Sequence, residues 1–256
     1  MDSEKKYYIV GNWKMNPGNK KEAIRIFEGI KKRSQRRKND IIICPPFVYL
    51  SEFNSKRIPK SLSLGAQNCF WEEEGSYTGE VSSTQLVDMK AKYVIIGHSE
   101  RREMGESDEE VSKKIKASLS SGLCPIICIG EKERDKEGEY LQFIESQLSS
   151  AFSGVEISFL IKVIVAYEPI WAIGKSEEEA ITGHLLYEIV VFIKRFLSKR
   201  YGKKEGFSVP VLYGGSVSSY NAEEFLKEGN VEGLLVGRQS LDPKSFSDII
   251  DISENI

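Results

Sequence analysis

The chain has 256 residues, 40% of them hydrophobic and 29% charged, with 36 Lys and Arg against 38 Asp and Glu for a formal net charge of −2. That balance excludes a disordered or collagen-like chain and any global pull toward nucleic acid or an anionic membrane surface. The longest apolar runs are broken early, as by Lys162, so none reads as a membrane span, and four cysteines are too few for a disulfide scaffold.

From its start, Met1-Asp2-Ser3-Glu4-Lys5-Lys6, the chain enters a strand without a secretory apolar region, and its end, Ser253-Glu254-Asn255-Ile256, matches no retention or peroxisomal signal; the expected address is the cytosol. Short β-rich apolar runs then recur at residues 7–10, 41–44, 62–65, 93–96, 125–129, 161–167, 209–213 and 233–236. Most are continuous rather than alternating, as expected of strands buried on both faces of a parallel sheet. Charged stretches of helical spacing separate them. Ala23, Phe27 and Ile30 fit one helix face, Val111, Ile115, Ala117 and Leu119 a looser one, and Leu185, Ile189, Phe192 and Phe196 another within 182–200; residues 46–62 hold the weakest helix. Lys31 to Lys38 is strongly basic and reads as a solvated helix end. Cys44, Cys124 and Cys128 lie in or beside apolar runs and are expected to be buried thiols. Cys124 and Cys128 have no nearby His, which does not fit a zinc site.

Eight strand–helix units in one domain, residues 1–256, are what closes a (β/α)8 barrel of the α/β class. A doubly wound open sheet is the alternative, but Gly11-Asn12-Trp13-Lys14-Met15-Asn16 after the first strand is no G-x-G-x-x-G. A barrel brings to one mouth the polar residues that follow its strands: Asn12 and Lys14 after the first, His98, Ser99 and Glu100 after the fourth, Glu168 after the sixth, Gly214-Gly215-Ser216 after the seventh, Gly237-Arg238 after the eighth. Lys14, between Trp13 and Met15 in a short turn, reads as held in place. His98 opens a helix with Ser99 as the expected N-cap, and a helix N-terminus favours a neutral imidazole. His184, inside a predicted helix, reads as structural or surface. Glu168 ends a buried apolar run and is expected to be partly desolvated, which strengthens a base. Gly214, Gly215, Ser216 and Gly237 suggest a phosphate cradle of backbone N–H groups, although glycines also make plain turns. The apolar loop Pro169-Ile170-Trp171-Ala172-Ile173-Gly174-Lys175-Ser176 either packs on the rim or closes over a ligand, and the Ser176–Glu179 spacing sets a helix start at Glu177.

These segments, with Gly65-Ala66-Gln67-Asn68, Tyr77-Thr78-Gly79-Glu80, Ala166-Tyr167-Glu168-Pro169 and Tyr213-Gly214-Gly215-Ser216-Val217, resemble the triosephosphate isomerase family over nearly the whole chain. The resemblance implies a TIM barrel that interconverts dihydroxyacetone phosphate and D-glyceraldehyde 3-phosphate. Glu168 is then the base, His98 the neutral group that polarises the carbonyl, Lys14 and Asn12 the partners of the developing oxyanion, and Glu100 the group tuning Lys14 or the proton relay. Gly174, Ser216 and Gly237, with Gly214, Gly215 and Arg238, face the phosphate, and no metal or organic cofactor is implied. It also implies a homodimer in which the loop 69–80 inserts into the partner, Phe70, Trp71 and Tyr77 supplying apolar area and Thr78 approaching the partner's Asn12. Two departures stand out. Lys175-Ser176-Glu177-Glu178-Glu179 replaces the family's usual small residues after Gly174, which implies a stiffer far hinge. Arg238 replaces a frequent second glycine, so that its N–H stays available while its side chain either points away or adds charge near the phosphate. Another phosphosugar isomerase on the same barrel, and a barrel retained only for binding, are the rival readings.

Overall fold

The computed structural model describes residues 6–172 and 181–256. Eight strands, β1 Tyr8–Asn12, β2 Asp40–Cys44, β3 Leu62–Ala66, β4 Ala91–Ile96, β5 Cys124–Ile129, β6 Ile164–Tyr167, β7 Val211–Tyr213 and β8 Gly233–Val236, pair in sequence order, all parallel, and β8 pairs back to β1. Helices α1 Lys20–Arg33, α2 Phe47–Asn54, α3 Ser83–Asp88, α4 Ser99–Glu103, α5 Asp108–Ser120, α6 Glu139–Ala151, α7 Gly183–Tyr201, α8 Lys203–Ser208, α9 Ala222–Lys227 and α10 Pro243–Glu254 connect and surround them. The expected barrel is the observed one.

Closure explains the unbroken apolar runs. Alternate residues of each strand divide between two clusters: Val10, Ile42, Ile95, Ile126, Ile164, Leu212 and Leu235 fill the barrel, while Ile9, Ile41, Val94, Ile127, Val165, Val211 and Leu234 meet the helices. Both faces are dry, so the pattern cannot alternate. Helix starts follow side-chain chemistry. Asn19 caps α1, Ser82 and Ser107 close capping boxes on α3 and α5, and Asp242 caps α10 by accepting from the Ser245 N–H at 2.8 Å.

Several expectations need correction. The sixth strand begins at Ile164 rather than 161, because residues Ile157–Lys162 form a 3-10 turn that leaves Ile161 88% exposed; a short apolar run does not by itself separate strand from turn. The seventh begins at Val211, after Pro210, which has no N–H for the ladder. Helix α7 buries Leu186, Ile189, Val190, Ile193 and Leu197, so Leu185, Phe192 and Phe196 lie at the edge of the core rather than in it. That helix is apolar over more than one stripe because α8 also packs on it: a Cβ at Gly206 would fall 2.3 Å from the Ser198 nitrogen. Ala117 is only half-buried on α5, and Cys124 is half-buried where Cys44, Cys69 and Cys128 are buried; all four thiols are free.

Candidate active site

The residues that follow the strands do meet at the C-terminal mouth. Asn12 ends β1, 5% exposed, and its Oδ1 accepts from the Lys14 N–H at 3.0 Å. Lys14 itself sits at φ 53°, the left-handed region that a side chain disfavours. Its carbonyl accepts from Gln67 Nε2 at 2.9 Å, and the same amide bonds the Cys44 carbonyl at 2.9 Å. The lysine turn is therefore clamped at its N–H by β1 and at its C=O by the end of β3. Its ammonium lies 2.7 Å from Glu100 Oε1, both side chains partly exposed.

After β4, Gly97 turns the chain at φ 73° into α4. Here the structure corrects the expected cap. His98, not Ser99, occupies the N-cap, and its Nδ1 accepts from the Glu100 N–H at 3.2 Å. An accepting Nδ1 carries no proton, so the imidazole is neutral with its proton on Nε2. That nitrogen lies 3.3 Å from Glu168 Oε1, and Glu168 Oε2 accepts from the Ser99 N–H at 3.1 Å.

Glu168 is 2% exposed, as its position after a buried strand predicts. Its backbone is pinned by Glu168 N to Ile129 O at 2.8 Å, and the next peptide on β7 by Gly214 N to Tyr167 O at 2.8 Å. Gly214 and Gly130 are small because of this glutamate. A Cβ at Gly214 would fall 2.8 Å from Glu168 Cγ, and one at Gly130 only 1.9 Å from the Glu168 carbonyl oxygen. The Cys128 thiol beneath is pushed well up by burial and by the Glu168 carboxylate, so it stays protonated.

A cavity of about 510 Å³ opens at the mouth, lined by Asn12, Lys14, Glu100, Gly215, Ser216, Gly237 and Arg238 among others. His98, Gly214 and Glu168 do not line it. Gly214 faces the glutamate instead, and Glu168 borders a separate small void with Ser99, Gly130 and Ile170. The carboxylate thus lies behind the cavity wall, held on the Ser99 N–H. The Ser216 loop is ordered by Asn221, whose Oδ1 accepts from Ser218 N at 2.9 Å and whose Nδ2 donates to Ser216 O at 3.0 Å.

Just past Glu168, Ile170–Ala172 form a 3-10 turn held by Glu131. Glu131 Oε1 accepts from Tyr167 OH and Trp171 Nε1, both at 2.8 Å, and the Ile170 N–H donates to the Glu131 carbonyl at 3.0 Å. Burial and the Glu131 carboxylate raise the Tyr167 hydroxyl. Gly174, the Lys175–Glu179 departure and the expected helix start at Glu177 lie outside the described residues. His184 is a surface residue, 3.6 Å from Glu188 and 80% exposed. Among the described residues no cluster of His, Cys, Asp and Glu could hold a metal ion. Sequence reasoning did not assign Gln67, Gly130, Glu131 or Asn221 to the site. Gln67 stood inside a quoted segment, but nothing local marks its bond to a lysine 53 positions away.

The arrangement suits proton transfer: a buried carboxylate faces a neutral imidazole, and an ammonium stands at a polar cavity. The family model described as triosephosphate isomerase matches residues 7–253. Triosephosphate isomerase of Alkaliphilus oremlandii (strain OhILAs) is 41% identical over 253 residues, 96% of this chain and 99% of that protein. That of Aquifex aeolicus (strain VF5) is 42% identical over 248 residues, covering 94% and 97%. The crystal structure of triosephosphate isomerase from Bartonella henselae superposes with a TM-score of 0.85 at 35% identity, over 96% of this chain and 98% of that one.

Proposed function

This chain belongs to the triosephosphate isomerase family, and we propose that Glu168, His98, Lys14 and Asn12 carry out its reaction, the interconversion of dihydroxyacetone phosphate and D-glyceraldehyde 3-phosphate in glycolysis. The proton that moves is alpha to a carbonyl, so the task is to remove it from one carbon and return it to the neighbouring one.

With the ketose phosphate in the cavity, Glu168 leaves the Ser99 N–H and takes the proton from the carbon next to the carbonyl. The Nε2–H of His98 donates to the carbonyl oxygen as negative charge develops there. Lys14 and the Asn12 amide stabilise that oxygen, and Glu100 holds the ammonium in place from 2.7 Å. The enediolate then takes the proton from Glu168 on the adjacent carbon, while the hydroxyl proton passes between the two oxygens through His98. Backbone N–H groups of Ser216, Gly237 and Arg238 receive the phosphate; Gly214 and Gly215 leave room for Glu168 and for Tyr213, since a Cβ at Gly215 would fall 2.1 Å from the Tyr213 hydroxyl.

One observation supports this reading above the others: an imidazole whose Nδ1 is used as an acceptor points its Nε2 proton at a buried carboxylate 3.3 Å away. General acid–base groups of this kind contribute ~10²–10⁴-fold. A coupled dehydrogenase assay tests it. Glu168→Gln is expected to lower kcat by about that factor with the fold retained; activity equal to wild type overturns the assignment.

We further propose that residues 1–256 form one domain and that the chain works as a cytoplasmic homodimer. The loop 69–80 presents a stack of rings, Phe70 on Trp71 at 4.0 Å and on Tyr77 at 4.6 Å, and Met15, next to Lys14, is 93% exposed in the single chain. Apolar area of that kind suits an interface. Sedimentation of wild type against Trp71→Asp decides it: a wild-type monomer at micromolar concentration overturns the dimer. The free thiols fit a reducing compartment, and no helix among the described residues is long and apolar enough to cross a membrane.

A further inference from the structure

Among the residues lining the active-site cavity, three carry a charged side chain: Lys14, Glu100 and Arg238. Lys14 and Glu100 are paired at 2.7 Å, so their charges cancel at any distance much greater than that. The formal charge presented to an incoming ligand is then +1, and it resides on Arg238. The protein as a whole carries −2, so attraction of a dianion has to come from local charge rather than from the global balance.

Arg238 is exposed, and no ion pair or hydrogen bond of its guanidinium occurs among the described residues. It holds nothing in the fold together. Its backbone enters the 3-10 turn Arg238–Leu241, a conformation any residue adopts, so a large side chain costs no strain there. Its neighbour Gly237 lies against the substrate lysine: a Cβ there would meet Lys14 Cε at 3.6 Å. The arginine therefore stands one residue from the lysine stem, on the wall that also carries Ser216.

We propose that the Arg238 guanidinium is a specificity-determining residue that captures the phosphate group of the ligand. This rests on the isomerase reading above and adds a side chain to a phosphate site otherwise built from backbone N–H groups. The phosphate lies away from the reacting carbons, so the arginine touches none of the reacting atoms. Binding energy from such a remote group is realised in kcat as well as in KM, so the contact is read in kcat/KM, while the proton transfers stay with Glu168 and His98. A charge-assisted hydrogen bond from a solvent-exposed arginine corresponds to roughly 3–10-fold in affinity, less than a buried one because water screens it.

The test compares wild type, Arg238→Gln and Arg238→Lys. For Arg238→Gln the expected result is a kcat/KM lowered roughly 3–10-fold, an equal loss in inhibition by inorganic phosphate, and a shallower fall of kcat/KM with added salt. Arg238→Lys is expected to recover most of the salt dependence, since it restores the charge. Unchanged kcat/KM and unchanged phosphate inhibition in Arg238→Gln overturn the proposal. Calorimetric titration with inorganic phosphate alone separates this from the isomerase reading. If the wild type binds phosphate more tightly than Arg238→Gln but does not isomerise trioses, the arginine site stands and the reaction assignment falls; if it isomerises trioses and binds phosphate no more tightly than the variant, the reverse holds.

Discussion

Gln67→Met removes two N–H donors from the end of β3 while keeping a side chain of similar length and volume. Its target is the lysine turn. Lys14 sits at φ 53°, which costs a residue with a Cβ about 1–2 kcal/mol. Two hydrogen bonds hold it there, Asn12 Oδ1 on its N–H at 3.0 Å and Gln67 Nε2 on its C=O at 2.9 Å. The Cys44 carbonyl keeps the Trp13 N–H at 3.1 Å when Gln67 is gone, so only the Lys14 carbonyl is left without its partner. The lost restraint is then about 1–2 kcal/mol, comparable with the strain it opposes. The turn relaxes in a large share of molecules, and the fraction with Lys14 correctly placed falls. Each 1.4 kcal/mol is tenfold, so kcat/KM is expected to fall roughly 5–30-fold. Stability changes by about one hydrogen bond, a Tm shift of ~2–4 °C. Steady-state kinetics in the coupled assay and a circular-dichroism melt read the two effects on one preparation. A kcat/KM within twofold of wild type would show that the turn holds its strained shape without Gln67, and the clamp argument would fail.

Gly130→Ala places a methyl about 1.9 Å from the Glu168 carbonyl oxygen, so the ends of β5 and β6 must part by more than 1 Å; a shift of that size in the base is expected to cost ~10²-fold in kcat, and wild-type kcat would contradict it. Lys114→Met strips a buried cation from Glu106 and from Asn68 Oδ1 at 3.0 Å, leaving Glu106 with only the half-exposed Arg101 at 3.0 Å. Breaking such a pair costs ~3–5 kcal/mol, to be read as a fall in Tm of roughly 6–20 °C in a thermal melt. Asp242→Ala removes the N-cap of α10, with an expected loss of about 0.5–2 kcal/mol in urea unfolding at pH 7. The Ser245 N–H and hydroxyl hold the Asp242 carboxyl below its ordinary 3.8, so its contribution is complete above that pH and disappears as pH falls through the lower folded value. The gap between wild type and variant should therefore narrow at pH 3; a constant gap from pH 7 to pH 3 would mean that the cap does not depend on the carboxylate.

The order of strands and helices, the closed parallel architecture and the residues at the strand ends were legible in the sequence. Each depends on local pattern: continuous apolar runs mean strands covered on both faces, and eight units of that kind have one closed solution. Ser99 as the cap was the nearest misjudgement, because Ser is the common capping residue, whereas the turn at Gly97 delivers the His98 ring to that place. The apolar face expected on α7, Leu185, Ile189, Phe192 and Phe196, shares only Ile189 with the buried one, because α8 covers a second stripe that only the folded chain brings together.

The sequence alone determined which residues follow the strand ends, since those ends in a barrel are set by the chain's own periodicity. Tertiary structure decided how those groups are held: Gln67 on the Lys14 carbonyl, Glu131 under Trp171, two glycines against Glu168, and its carboxylate parked on Ser99 behind the cavity wall. These are contacts between residues tens of positions apart, at distances below 4 Å, and no local pattern encodes them. They exist only once closure of the barrel has set the register of each strand against its neighbours.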